Sequence, residues 1–155
     1  MVGICFFFED VVRNTMSGIV GADIERAIFD ARNLGATHVL LVDATQYGLS
    51  RFYGHSDSQI VFERYETLEQ AEATYPDVPR VYLENEATLL ASGTTGTPLA
   101  GFVHPASAIY VVGKDAGGGI TTGRKQKTWV YMPYANLWAS STLAIILHDR
   151  RAKSI

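Results

Sequence analysis

Three short runs constrain the fold of this chain more than anything else in it. "VGICFFF" (2–8), "THVLLVDA" (37–44) and "AIYVVG" (108–113) are apolar almost throughout, without the polar–apolar alternation of a strand that keeps one wet face. Such runs are too short for buried helices. They read as strands covered on both sides, the signature of a mainly parallel sheet flanked by helices. Segments of helical period lie between them. From Asp23 the apolar residues fall at Ile24, Ala27, Ile28, Ala31 and Leu34, with Asp23 as N-cap and Gly35 just past the end. Further strands are expected over 59–65, 80–85 and 128–132. Helices are expected over 67–75, briefly over 86–92, and finally over 136–151. Strands alternating with helices make an α/β protein, and with no internal repeat or linker, 1–155 is expected to be a single domain.

Composition excludes several classes. Apolar residues are 47% and charged residues 19% of the chain, a globular balance. No apolar run approaches the roughly 20 residues that a membrane span needs. The opening "MVGICFFFED" has no basic start and meets acid at Glu9 and Asp10, so it reads as a first strand rather than a leader. The single cysteine, Cys5, cannot form an internal disulfide and is expected to be a small buried hydrophobe. A soluble, cytoplasmic protein is expected.

The net charge of −3 hides an asymmetry. Residues 1–113 carry six Lys/Arg against fourteen Asp/Glu, whereas 114–155 carry seven against two. The basic residues concentrate in "GRKQK" (123–127) and "HDRRAK" (148–153). Together in space they would form a positive patch suited to nucleic acid. The alternative is a solubilising loop and a basic helix end that suits the helix dipole.

The Gly-rich stretch after Val112 invites a phosphate-loop reading that its details refuse. "GGITTGRK" (118–125) has two glycines at the right spacing, but Arg124 stands where Lys belongs and Lys125 where Ser or Thr should bind magnesium. The next segment, "TWVYMP" (128–133), is β-prone rather than helical. A dinucleotide fingerprint is missing after the first strand, since "FFFEDVVRN" has no glycine. The histidines at 38, 55, 104 and 148 show no metal-ligand spacing, and no G-x-S-x-G elbow occurs. Glu84 and Glu86 share a face on an extended chain and could serve acid–base chemistry, or be an ordinary solvated pair. In the final helix Leu143, Ile146 and Leu147, with Leu137, supply a core face. Ala139, Ser140, Ser141, Thr142 and Ala144 form a small-residue patch that would admit a backbone or a flat ligand.

Taken together and in order, these segments resemble the SPOUT superfamily of trefoil-knotted RNA methyltransferases, in particular its TrmH/SpoU branch. "DARNLGATHVLLVD" (30–43) is similar to that branch's first motif, and "VYLENEA" (81–87) to its mid-chain strand. "FVHPASAIYVVGKDAGGG" (102–119) is similar to the second motif and "VYMPYANLWASSTLAIILHDR" (130–150) to the third. The resemblance implies an α/β domain with a C-terminal trefoil knot, a homodimer, and RNA (tRNA or rRNA) as partner. It implies S-adenosyl-L-methionine as cofactor, its adenine among backbone amides of three loops, where glycines permit close approach. Leu83, Val112, Gly113, Lys114 and Asp115 would line two of these loops, and Val130, Met132, Leu137 and Ser140 the third.

The implied activity is methyl transfer, most readily to a ribose 2′-oxygen. That hydroxyl is a poor nucleophile and wants a base or a compensating charge, for which Arg32, Glu84 and Asn136 are the candidates. Arg26, Arg124, Lys125 and Lys127 would contact RNA. Two departures stand out. Phe29 occupies the position where the branch carries an arginine six residues before the motif-one glycine, with Arg32 better placed than Arg26 to compensate. Asn136, Leu137 and Trp138 stand where Ser, Leu and Asn are usual. Two alternatives therefore stay open: a catalytically impaired knotted protein that binds cofactor or RNA, and an unrelated α/β nucleotide-binding enzyme.

Overall fold

The computed structural model describes residues 1–9, 19–42, 60–113, 127–132, 137 and 139–154. Eight strands are found among them: β1 (Val2–Glu9), β2 (Ile19–Val20), β3 (His38–Val42), β4 (Val61–Tyr65), β5 (Arg80–Asn85), β6 (Thr97–Pro98), β7 (Ala108–Val112) and β8 (Thr128–Met132). They form one sheet of order β4-β3-β1-β7-β5-β8-β6, with β2 paired to β1, and every pairing is parallel. The helices are α1 (Gly21–Asn33), α2 (Leu68–Thr74), α3 (Glu86–Ala91) and α4 (Ala139–Lys153). No helix among the described residues is long and apolar enough to cross a membrane.

The absence of alternation in the sequence has its expected cause. Alternate residues of each strand face opposite sides, and both sides are apolar. Ile4, Phe6, Val39, Leu41, Val81, Leu83, Tyr110, Val112, Val130 and Met132 belong to a core shared with Ala27 and Ala31 of α1 and with Ala139, Leu143, Ile146 and Leu147 of α4. Cys5, Leu40, Val42, Tyr82, Ile109, Val111 and Trp129 face the other way, onto Leu68 and Ala71 of α2 and Leu89 of α3. The result is three layers.

Local signals explain most of the boundaries. Thr67 caps α2 in a reciprocal capping box with Gln70, and the Asn85 side chain accepts from the Thr88 amide at 2.7 Å to start α3. Gly35, at φ +98°, ends α1 as expected. Its amide donates to the Arg32 carbonyl at 3.0 Å, and the Ala36 amide donates to that of Ala31 at 2.8 Å, the paired bonds of a Schellman turn.

Three expectations are corrected. α1 begins at Gly21, so Asp23 lies inside its first turn rather than at its cap. The final helix starts at Ala139 and runs on to Lys153, two residues beyond the expected end, because Arg150, Arg151 and Lys153 suit its carbonyl-rich terminus. Leu137 consequently precedes the helix and is exposed instead of contributing to the core face. The dipeptide strands β2 and β6 were not expected. β6 ends the sheet with Pro98, a residue tolerated only where no further ladder is needed.

The strand order has a consequence for assembly. The two strands formed late in the sequence both insert between earlier ones, β7 between β1 and β5, and β8 between β5 and β6. After β8 the chain returns across the sheet, and α4 packs against α1 and β7.

Candidate functional site

In open parallel sheets, ligands sit beyond the carboxyl ends of the strands, where loops replace the ladder. Three strands end side by side here. Leu83 of β5 pairs in register with Val112 of β7 on one side and Val130 of β8 on the other, and Asn85 pairs with Met132 one step further out. Leu83, Val112, Val130 and Met132 are all buried on the α1/α4 face and share their cluster with Ala139, the first residue of α4. Gly113 leaves β7 at this edge, half-buried, and Ser140 lies half-buried in the first turn of α4. Segments remote in the chain thus converge into an apolar row roofed by a helix start. Such a row offers a floor to a flat ring whose polar edge would be met by backbone groups.

The expected residues divide sharply by position. Leu83, Val112, Gly113, Val130, Met132 and Ser140 come together at the carboxyl edge, with Leu137 close in sequence but exposed. Lys114, Asp115, Arg124, Lys125 and Asn136 lie outside the described residues. Glu84 also sits at this edge, but strand alternation turns it toward the α2/α3 face, opposite Leu83. Its Oε1 accepts from the Asn85 amide at 3.1 Å.

Arg32 and Lys127 lie away from this row. Arg32 occupies the last turn of α1, whose end feeds through Gly35 into the start of β3, and Thr37 there bonds to Val2 at the start of β1. That is the amino edge of the sheet, opposite the row. The Arg32 guanidinium lies 5.3 Å from the exposed Phe29 ring. The helix start lies at the other edge, so of the two arginines Arg26 is nearer the carboxyl ends. Lys127 is held in place rather than presented to solvent. Its Nζ stands 3.6 Å from Glu72 Oε2 and 4.9 Å from the centre of the Tyr82 ring, just before β8 begins. Lys127, the last residue of the basic run, is thus an amino-edge tie.

The same edge carries groups that sequence reasoning missed. Glu72 accepts from the Tyr82 hydroxyl and lies 3.9 Å from Arg80 Nε. Burial, then the Glu72 carboxylate, push the Tyr82 phenol well above its ordinary value. His104, Tyr110 and Asp149 form a second polar chain. The only sequence signals were the His-Pro and Asp-Arg pairs inside the quoted motifs, which carry no role by themselves. Cys5 is fully buried, and burial with the nearby Glu72 charge push its thiol up to about 12, so it is no nucleophile. Among the described residues, no group of three His, Cys, Asp or Glu is gathered to hold a metal.

No protein-family profile matches the sequence, and no curated protein does. Solved structures do. An AdoMet-bound rRNA methyltransferase from Sinorhizobium meliloti superposes with a TM-score of 0.67 at 13% identity over 99% of this chain and 56% of that one. An RNA 2′-O ribose methyltransferase gives 0.66 at 13%, over 99% and 56%. The A. aeolicus TrmH/SpoU tRNA modifying enzyme gives 0.65 at 11%, over 99% and 76%. The chain has the TrmH/SpoU fold. It spans little more than half of the first two of these proteins. Within the TrmH/SpoU fold, the β5–β7–β8 edge is formed by three of the four segments whose motifs carried the resemblance.

Proposed function

We propose that this chain is an S-adenosylmethionine-dependent RNA methyltransferase acting on a ribose 2′-hydroxyl of tRNA or rRNA. The observation that carries it is the convergence of Leu83, Val112 and Val130 beneath the start of α4, in a fold shared with RNA methyltransferases. The residues fit the cofactor's chemistry. The apolar row suits an adenine face, Gly113 leaves room for close backbone approach, and Ala139 and Ser140 keep the helix start slim. Leu83, Val112, Gly113, Val130, Met132, Leu137 and Ser140 would hold it, with Lys114 and Asp115. Bound there, the cofactor supplies a methyl group on a sulfonium. The chain's own task is to hold the hydroxyl in line and to ease loss of its proton. On α1, Arg26 takes the part first expected of Arg32, with Asn136 as the polar partner, and Arg124 and Lys125 meet phosphate.

The reading extends to a threaded C-terminal segment and a homodimer. The insertion of β7 and β8 between earlier strands, followed by the return of α4 onto β7, supports the threading. A second reading, a binder without turnover, is favoured by one observation. Phe29 is exposed where an arginine is usual, and Arg32 sits at the opposite edge.

Calorimetry with S-adenosylmethionine tests the pocket: heat of binding is expected, and none at high protein concentration overturns both readings. Labelled methyl transfer to bulk tRNA and rRNA then separates them. Arg26→Ala should lower transfer on the order of 10²-fold with cofactor affinity intact, and Arg32→Ala should leave transfer unchanged. Silence with every RNA pool leaves the binder.

A further inference from the structure

The densest polar cluster away from the carboxyl edge joins the last turns of α4 to the segment before β7. The His104 side chain is only 6% exposed. It lies between the rings of Phe102, 4.9 Å away, and Tyr110, 5.7 Å away. Both ring nitrogens are engaged: Nδ1 is 2.7 Å from the Tyr110 hydroxyl and Nε2 is 2.7 Å from Asp149 Oδ2. Arg150 donates to the Tyr110 oxygen at 3.0 Å and to the Pro105 and Ala106 carbonyls at 2.6 Å each. Lys153 sits 2.9 Å from Asp149 Oδ2 and donates to the Leu99 carbonyl at 2.5 Å and that of Phe102 at 3.1 Å.

Donor order assigns the protons. Arg150 can only donate, so the Tyr110 oxygen accepts from it and sends its own proton to His104 Nδ1. The ring proton therefore belongs on Nε2, donated to Asp149. One neutral tautomer satisfies the whole chain. An imidazolium would turn Nδ1 into a second donor aimed at the Tyr110 proton, beside two fixed cations.

We propose that this chain of side chains is an acid-released clasp on the C-terminal helix: neutral His104 locks α4 onto 102–106, and protonating the ring loosens it. The inference rests on the fold and not on the proposed activity. Among the described residues, the charged groups acting on the ring are Asp149, Arg150 and Lys153 of α4, and β7 contributes Tyr110. Burial depresses the His104 pKa below the ordinary histidine value, outweighing the pull of Asp149. Burial alone would raise Asp149, but hydrogen bonds from His104 and Lys153 prevail and hold it below the carboxylate range. Both folded values are depressed, so the unfolded state binds more protons as pH falls. Stability is complete above about pH 6.5 and declines below it, first through His104 and then, further into acid, through Asp149. The helix is a rod about 22 Å long whose other end begins at Ala139 in the carboxyl-edge cluster, so release at one end loosens the roof at the other.

NMR of labelled imidazoles, with hydrogen exchange, tests the clasp in the intact chain. The expected result is an Nε2–H tautomer at neutral pH and a His104 midpoint below about 6.5. Across that midpoint, protection factors over 143–153 should fall about tenfold while those of Val39 to Leu41 hold. Tyr110→Phe removes the donor to Nδ1 and should move the midpoint upward, and His104→Gln should abolish the acid step in α4. A midpoint at or above the ordinary value, or an Nδ1–H tautomer, overturns the clasp. So does α4 protection that moves in step with β3. If His104→Gln fails to fold, the Tyr110→Phe midpoint decides: an unmoved value ends the proposal.

Discussion

At the amino edge of the sheet, elements remote in sequence are tied by charge. Glu72 joins α2 to Tyr82, Arg80 and Lys127, while Asp149, Arg150 and Lys153 join α4 to the 99–106 segment. At the carboxyl edge of β5, β7 and β8, the α1/α4 face carries an apolar row, a glycine and a slim helix start, while Glu84 turns to the other face and Asn85 caps α3. Polar ties with fixed partners hold geometry but leave no group to spare for a ligand. An apolar row with accessible backbone does the reverse. The difference shows how one sheet can separate stability from binding: strand ends tied by polar partners lie at one edge, and the strand ends proposed to admit a ligand lie at the other.

The largest expected effect strikes the amino half alone. Trp129 is 2% exposed and packs 5.5 Å from Tyr82 on the face away from the row. Trp129→Ala should cost about 3–5 kcal/mol in denaturant unfolding. The fraction that stays folded should bind S-adenosylmethionine within about twofold of the parent, since about 1.4 kcal/mol is tenfold. Loss of both together would break the division between the edges.

Gly113→Val is the mirror experiment. A branched side chain where β7 opens into its loop should lower cofactor affinity at least about a hundredfold, close to roughly 2.7 kcal/mol. Unfolding free energy should move by less than about 1 kcal/mol. Unchanged affinity in a folded variant would remove the adenosine from this edge.

The two edges also differ in how much of them could be read from sequence. The row at the carboxyl edge was legible because uniformly apolar runs announce strands buried on both faces, and the sheet's connectivity then places their ends together. Gly35 was legible for a similar reason: it follows a helical stripe, where only a left-handed turn is required. The ties at the amino edge were not legible. Lys127 sits in a basic run that looks like solvated surface, and nothing local says that Glu72 and Tyr82 will arrive beside it. The position of Arg32 was not legible either, because spacing from a motif glycine fixes a helical turn but not which edge that turn reaches. Charges take their roles from partners that only tertiary structure supplies.

Glu72→Gln probes those partners directly. It leaves Lys127, whose side chain is 15% exposed, without its carboxylate, and the cost should be about 2 kcal/mol. The variant carries its own pH signature. The phenol of Tyr82 titrates higher in the folded state than in the unfolded one, through burial and then Glu72. Its contribution is therefore present below about pH 10 and lost as pH rises further. Without the carboxylate the folded value drops toward the ordinary one, so Glu72→Gln should lose less stability than the parent between about pH 9 and about pH 11. Parallel alkaline curves would dissolve the hub.

The finest test concerns the hinge between α1 and β3. Gly35 adopts φ +98°, and a Cβ placed on it would meet nothing within 4 Å, so Gly35→Ala isolates backbone conformation from packing. An L-residue held left-handed costs roughly 1–2 kcal/mol, and the expected loss is near the lower figure because the turn is on the surface. Gly35→Asn, whose side chain tolerates that conformation, should recover part of it. Cofactor affinity should be untouched in both, since the turn lies at the edge opposite the row. A neutral Gly35→Ala would mean that the left-handed Schellman turn is not held in solution.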